Sequence, residues 1–260
     1  MKKEESRFST QNLFEGMVSI RALLNAYDSK ISNRKIEEVF VDNEKLKKRT
    51  KELSYIKARS YDVGYKITYL DKDEIENMTI GSSHGGLVAR TNDRIIPGLC
   101  ELSPIDKGFY VMLDGIEDPY NFGYALRSLY GAGVDGIILQ KRNWMSATGV
   151  VCRSSAGASE LFSVYTTDNS LSAIEFFKKH NYTTVCADIT STSISAYESE
   201  LKFPLFLIVG GEKRGIYAKA KEKADKIVHL DYNRDFNMAL SAASAASILS
   251  FEIMRQNKST

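Results

Sequence analysis

The sequence predicts an α/β protein made of two successive units, the second built on parallel strands. Three observations carry this prediction. Short apolar runs of strand length alternate with stretches whose apolar residues recur at helical spacing, the pattern of strand-helix-strand folds. Residues 205–209, Leu-Phe-Leu-Ile-Val, are too few for a helix and stop at Gly210 and Gly211, as expected of a strand buried on both faces that empties into a tight loop. Periodicity fades over residues 91–107, where Pro97-Gly98 and Ser103-Pro104 break the chain. The boundary is placed there: a first domain over 1–100, a linker over 101–107 and a second domain over 108–260.

In the first unit, Leu13, Met17, Ile20, Leu24 and Tyr27 fall at helical spacing, with Ser9 or Thr10 in place to cap a helix over 13–27. Residues 36–41 then read as a strand, 43–60 as an exposed helix, and 66–70 as a strand before an Asp-rich turn. A loop through Ser82, Ser83 and His84 feeds a further strand at Leu87. Between Lys45 and Arg59 stand seven basic side chains (Lys45, Lys47, Lys48, Arg49, Lys51, Lys57, Arg59) against the single acid Glu52. A solvated helix face often has this composition, and so does a surface that holds phosphates.

The second unit opens with a strand over 109–113. Asp118-Pro119-Tyr120-Asn121 then leads into a helix with Ala125, Leu126 and Leu129 on its apolar side, ending at Gly131 or Gly133. A strand over 137–139 completes a parallel strand-helix-strand unit. The small residues Ser154 to Ala158 permit close packing. Beyond them come a helix over 170–180, a strand over 183–188, the strand 205–209, a basic helical stretch over 216–226, a short strand over 227–230 and a last helix over 239–255, rich in Ala and Ser.

Composition bounds the function only loosely. A chain of 260 residues with net charge +2 and 43% hydrophobic residues is an ordinary globular protein. Cys100, Cys152 and Cys186 are odd in number and widely spaced, which suggests neither a disulfide framework nor a zinc site. The amino terminus lacks the apolar core of a signal peptide, so a cytoplasmic setting is expected. There is no lysine-bearing phosphate loop, no Gly-x-Gly-x-x-Gly opening a helix, no His-Glu-x-x-His and no Gly-x-Ser-x-Gly. The polar residues that remain gather at strand ends: Asn121 and Arg127 after the first strand of the second unit, and Glu212 after the strand 205–209. An arginine there suits phosphate or carboxylate.

These segments resemble the signature motifs of the SpoU-type (TrmH-like) RNA ribose methyltransferases of the SPOUT class. Asp118-Pro119-Tyr120-Asn121-Phe122-Gly123 with Arg127 matches that family's Asn-x-Gly and following arginine. Ile208-Val209-Gly210-Gly211-Glu212-Lys213-Arg214-Gly215 resembles its strand-Gly-Ser-Glu-x-x-Gly loop. Ser155-Ala156-Gly157-Ala158 matches a segment between the two, and the likeness spans residues 108–257. The third motif departs: aligned on Phe251-Glu252, Ala239-Leu240-Ser241 stands where the family carries Ser-Leu-Asn, so the usual asparagine becomes Ser241; a register that uses Asn237 instead needs a gap of several residues and is the weaker alignment, and Leu230-Asp231 replaces Ile-Pro. The first unit is similar to the small ribosomal-protein-like domain with which many such enzymes grip RNA, in its opening helix and in His84-Gly85-Gly86-Leu87-Val88-Ala89.

The resemblance implies a knotted (trefoil) parallel-sheet SPOUT domain, preceded by an α/β RNA-binding domain; by ordinary topology rules a knot is a rare exception. It implies S-adenosylmethionine as cofactor, held at Gly210, Gly211, Leu230 and Leu240, and a homodimer joined through the helix after Asn121 and the last helix. It implies transfer of a methyl group to a ribose 2′-hydroxyl, of ribosomal rather than transfer RNA, with Asn121, Arg127 and Glu212 as the catalytic set. Lys45, Lys47, Lys48, Arg49 and Arg59 would hold phosphates without reading bases. Two other classes stay open: an inactive RNA-binding protein on the same scaffold, which the altered third motif would suit, and a small-molecule α/β enzyme using the Gly210 loop.

Overall fold

The computed structural model describes residues 12–44, 50–80, 84–140, 147–211, 214–234 and 239–258. It divides into two compact units, residues 1–95 with 143–161, and residues 96–142 with 162–260.

The first unit begins with a three-residue strand, β1 (Leu13–Glu15), where the spacing predicted helix. Leu13 and Phe14 pair antiparallel with Arg90 and Ala89, and that pairing overrides the helical pattern. Gly16, at φ +82°, makes the turn from strand into helix α1 (Gly16–Asp28), with Glu15 at the cap position; a side chain is disfavoured at that backbone angle. The predicted caps Ser9 and Thr10 lie outside the described residues. Next come β2 (Ile36–Asp42), α2 (Thr50–Val63), β3 (Lys66–Leu70), α3 (Lys72–Met78) and β4 (Leu87–Thr91). The Asp-rich turn proves to be α3: Glu74 reaches back to accept from the Asp71 amide at 3.1 Å, half of a capping box. The sheet order is β1-β4-β2-β3, with only β2 and β3 parallel. Phe14, Ile20, Leu24, Val39 and Ile56 fill the core beneath it.

The second unit starts at β5 (Phe109–Asp114), followed by α4 (Pro119–Gly131) and β6 (Gly136–Gln140). Two short helices come next, α5 (Thr148–Ser154) and α6 (Ala158–Leu161). By packing these belong to the first unit, whereas the sequence reading placed them in the second. Their small residues explain why. A Cβ on Gly149 would lie 2.1 Å from the Leu13 carbonyl oxygen, and one on Gly157 would lie 2.5 Å from Ala22 Cβ. Buried Glu160 pairs with Arg34 Nε at 3.2 Å, while Arg94 Nη1 donates to the Ser159 carbonyl at 2.9 Å.

The chain continues through β7 (Ser163–Thr167), α7 (Ser170–Lys179), β8 (Thr183–Ala187), β9 (Ile194–Ser195), β10 (Leu205–Gly210), α8 (Ala218–Lys223), β11 (Lys226–His229) and α9 (Ala242–Asn257). All seven strands of the sheet β7-β6-β5-β10-β8-β11-β9 run parallel. The run at 205–209 is the central β10, fully buried from Leu205 to Ile208. Parallel strands carry their ligands at their carboxyl ends. Here β5 and β10 end side by side, Asp114 opposite Gly210.

Candidate active site

Two loops leave the adjacent ends of β5 and β10 and touch at once. The Gly211 amide donates to the Asp114 carbonyl at 2.6 Å, and the Gly215 amide returns to the Gly211 carbonyl at 2.9 Å, closing a five-residue loop. Glycine is required at both ends of β10's exit. A Cβ on Gly211 would lie 2.2 Å from the Gly115 oxygen, and one on Gly210 would lie 2.7 Å from the Gly215 carbonyl carbon. Neither neighbour is a side chain that can swing away.

The loop walls a cavity of about 310 Å³, completed by the ends of β8 and β11 and the start of α9. Gly210, Gly211, Leu230 and Leu240 all line it, so the four positions expected to hold a cofactor converge on one space. Val209, Ile216, Val228 and Leu249 make the remainder largely apolar, with the Asp188 carboxylate as its acidic member. That carboxylate is held by Lys221 Nζ at 2.6 Å and by the Ile189 amide at 2.8 Å. The Cys186 thiol on β8 is pushed up to about 12 by burial and then by Asp188, so it stays protonated and is no nucleophile.

On the cavity's rim, β11 runs into Leu230 and Asp231. Asp231 accepts from Ser195 Oγ and lies 3.3 Å from His229 Nε2, while His229 Nδ1 meets Ser193 Oγ at 3.0 Å. The aspartate that stands where an Ile-Pro pair was expected is thus tied to β9. Ser241 caps α9, accepting from the Ser244 amide at 3.1 Å. The last helix therefore starts three residues later than its composition predicted.

A second cavity of about 330 Å³ opens between the β5 loop and α4, lined by Gly115 to Pro119 and Asn121. It shares Gly211 and Ala242 with the first. Asp118 caps α4, its Oδ1 accepting from the Asn121 amide at 2.7 Å, with Pro119 in the first turn. Asn121 thus stands at the helix start, facing this cavity. Arg127 is exposed on α4 and belongs to the wall of neither cavity. Glu212 lies outside the described residues, as do Lys45, Lys47, Lys48 and Arg49. Arg59 is described and is engaged, 2.6 Å from Asp28 and 3.6 Å from Asp62; the hydrogen bond it donates to the Asp28 carboxylate raises its pKa above the ordinary value. Sequence reasoning missed Tyr232, Asp188 and the Asp231 anchor; an aromatic beside the strand-end leucine was the one available signal.

Residues 108–251 match the model of the SpoU rRNA Methylase family, and residues 15–94 match that of RNA 2′-O ribose methyltransferase substrate binding. The chain belongs to the SpoU methylase family. Among its relatives, the 23S rRNA (guanosine-2′-O-)-methyltransferase RlmB of Shewanella oneidensis is 27% identical over 206 residues, covering 78% of this chain and 82% of that protein. A TrmH-family relative from Staphylococcus saprophyticus is 33% identical over 146 residues; that match takes in 56% of this chain and only 58% of the relative. Among solved structures, the AdoMet-bound rRNA methyltransferase of Sinorhizobium meliloti superposes with a TM-score of 0.78 at 20% identity, over 96% of this chain and 89% of that one. The SpoU methyltransferase AviRb of Streptomyces viridochromogenes gives 0.75 at 18% identity, over 94% and 89%. At such identities these two likenesses speak for the SpoU fold.

Proposed function

We propose that this chain is an S-adenosylmethionine-dependent methyltransferase acting on a ribose 2′-hydroxyl of RNA, with ribosomal RNA as its substrate class. One observation carries the reading: the cavity lined by Gly210, Leu230 and Leu240 and the cavity lined by Asn121 share Gly211 and Ala242, so that two ligands would abut there. Transfer of a group between two bound molecules needs this adjacency.

The first cavity fits the cofactor. Its volume lies within the range of small-molecule sites, its apolar walls suit an adenine ring, and three loop ends offer backbone edges. Gly210, Gly211, Leu230 and Leu240 would hold it. Bound there, S-adenosylmethionine supplies a methyl group on a positively charged sulfur. Transfer to a ribose 2′-hydroxyl would form an oxygen–carbon bond as the sulfur–carbon bond breaks, leaving S-adenosylhomocysteine, with the hydroxyl proton passing to solvent. Asn121, Arg127 and Glu212 are the chain's own candidates for orienting the ribose and its phosphate. A guanidinium is a poor base, so Arg127 acts by position and charge. The two carboxylates on Arg59 mean that it would hold RNA only by exchanging one of them for phosphate.

The relative's name, a 23S rRNA guanosine-2′-O-methyltransferase, supports the ribosomal substrate, and the AdoMet-bound neighbour supports the cofactor. The substrate-binding match over residues 15–94 supports an RNA-gripping role for the first domain, through Lys45, Lys47, Lys48 and Arg49. A homodimer is part of the reading, as is a carboxyl-terminal chain threaded into a trefoil knot. Tyr120 and Tyr124 on α4 and Ile248 and Phe251 on α9, helices that pack together, are each more than a third exposed and offer an apolar face to a second copy. A cytoplasmic setting goes with the substrate; no described helix is long and apolar enough to cross a membrane.

The test is incubation of the full chain with tritiated S-adenosylmethionine and ribosomal RNA from cells lacking its gene, followed by mapping of the label. Label in one ribose is expected. Label in a base, or no label together with no cofactor binding by calorimetry, would overturn the reading.

A further inference from the structure

The rim of the cavity lined by Gly210, Leu230 and Leu240 contains a contact that the motifs do not account for. Tyr232 follows directly on the Asp231 anchor, and its hydroxyl accepts a hydrogen bond from the Leu240 amide at 3.1 Å. Both residues line the cavity and both are half-buried. The bond spans eight residues and joins the rim after β11 to the residue just before Ser241, the cap of α9. Its near end cannot drift, because Ser195 and His229 hold Asp231 while Ser193 holds His229. Its far end is fixed by the Ser241 cap. The phenol therefore ties two residues of the cavity wall, Tyr232 and Leu240, to each other.

We propose that Tyr232 is a positioning residue for the cofactor: its hydroxyl holds Leu240, and with it one wall of the cavity, in place before the ligand arrives. This rests on the cofactor reading above. Preorganisation of a wall shows in affinity for whatever the wall touches, since the ordering of the loop no longer has to be supplied on binding. It does not show in the chemical step.

The experiment is Tyr232→Phe in the full-length protein, which keeps the ring and removes one oxygen. Dissociation constants for S-adenosylmethionine and for its demethylated product, S-adenosylhomocysteine, are measured by calorimetry. Both are expected to rise by about 3- to 10-fold, the effect of one neutral hydrogen bond. In steady-state assays the KM for the cofactor rises alongside, while kcat and the KM for RNA stay within about twofold. Unchanged affinity for both cofactor forms would overturn the proposal, and so would a parallel rise in the RNA KM, which marks a generally loosened fold. A wild-type chain that bound neither form would overturn the cofactor reading and this proposal with it; wild-type binding with an unaffected Phe variant would sink this one alone.

Discussion

The amide of Gly211 lies 2.6 Å from the carbonyl oxygen of Asp114, so the exits of two neighbouring strands are joined backbone to backbone with no room for a side chain between them. Gly211→Ala places a methyl group 2.2 Å from the Gly115 oxygen, and the backbone on one side has to move. Overpacking of this kind costs about 1–3 kcal/mol. Because the displaced backbone is a wall of both cavities, cofactor affinity falls together with stability. Urea denaturation and calorimetry on the same variant check this; a variant with wild-type midpoint and affinity would show that the loop has slack. Gly215→Asn is the contrast. Among the described residues no atom lies within 4 Å of a Cβ there, and the φ of +60° is one that asparagine tolerates, so a smaller loss is expected.

Ser241→Ala removes the oxygen that accepts from the Ser244 amide at 3.1 Å and leaves the start of α9 uncapped. The expected loss is about 1 kcal/mol, read as a lower midpoint in thermal or chemical melts. Ser241→Asn restores the residue type usual in the family, and asparagine caps a helix about as well as serine; stability is expected to stay near wild type. The departure in the third motif therefore keeps the helix start intact. Should the Asn variant melt as low as the Ala variant, the cap has a geometry that only serine satisfies.

Much of this arrangement was legible because the residues concerned answer to local rules. Asp118-Pro119 announces a helix start through a side-chain acceptor and a fixed φ, and α4 begins there. The run ending at Gly210 announces a central strand because every side chain in it is apolar, and it has a parallel neighbour on both sides. What was not legible depends on distant partners. Leu13 and Phe14 continue a helical pattern but are claimed by β4. β7 carries Ser, Thr and Tyr, β9 is only Ile194 and Ser195, and both become strands through pairing with β6 and β11. The packing of 147–161 within the first unit rests on contacts such as Gly157 on Ala22, and Tyr232 finds its partner across eight residues. No spacing rule reaches that far.

Glu160 sits between two buried guanidinium groups, 3.2 Å from Arg34 and 3.9 Å from Arg94. Burial lowers the pKa of Arg94, and Glu160 opposes that shift. Glu160→Ala would leave two cations facing each other away from water. Removing one partner from such a group costs about 3–5 kcal/mol, chiefly through the charge left uncompensated. The variant is expected to lose the cooperative melt of the first unit or to express as insoluble protein, whereas the double variant Glu160→Leu, Arg34→Met recovers part of the loss. If Glu160→Ala melted within about 0.5 kcal/mol of wild type, the size of an ordinary surface change, the cluster would have no structural role.

On α9, Glu252 accepts two hydrogen bonds from Arg255, both 2.8 Å, and a third at 2.8 Å from Gln256. The Arg255 bond, ahead of burial, holds its carboxyl below the ordinary glutamate value. A carboxyl whose folded pKa is depressed binds its proton more readily in the unfolded chain, so its contribution to stability is present above the unfolded pKa of about 4.3 and is lost as the pH falls through the folded value. The pair is partly solvated, with Arg255 68% exposed, so screening keeps that contribution small. Glu252→Gln is expected to flatten the fall in stability below about pH 4.3 while leaving the curve near pH 7 lowered only slightly. Chemical denaturation of both proteins from pH 3 to 7 reads this directly, since the difference between the two curves isolates one carboxylate from all the others. A difference that grew as the pH fell would mean that the carboxyl is stabilised in its protonated form, and the assignment of Arg255 as its partner in the folded state would have to be dropped.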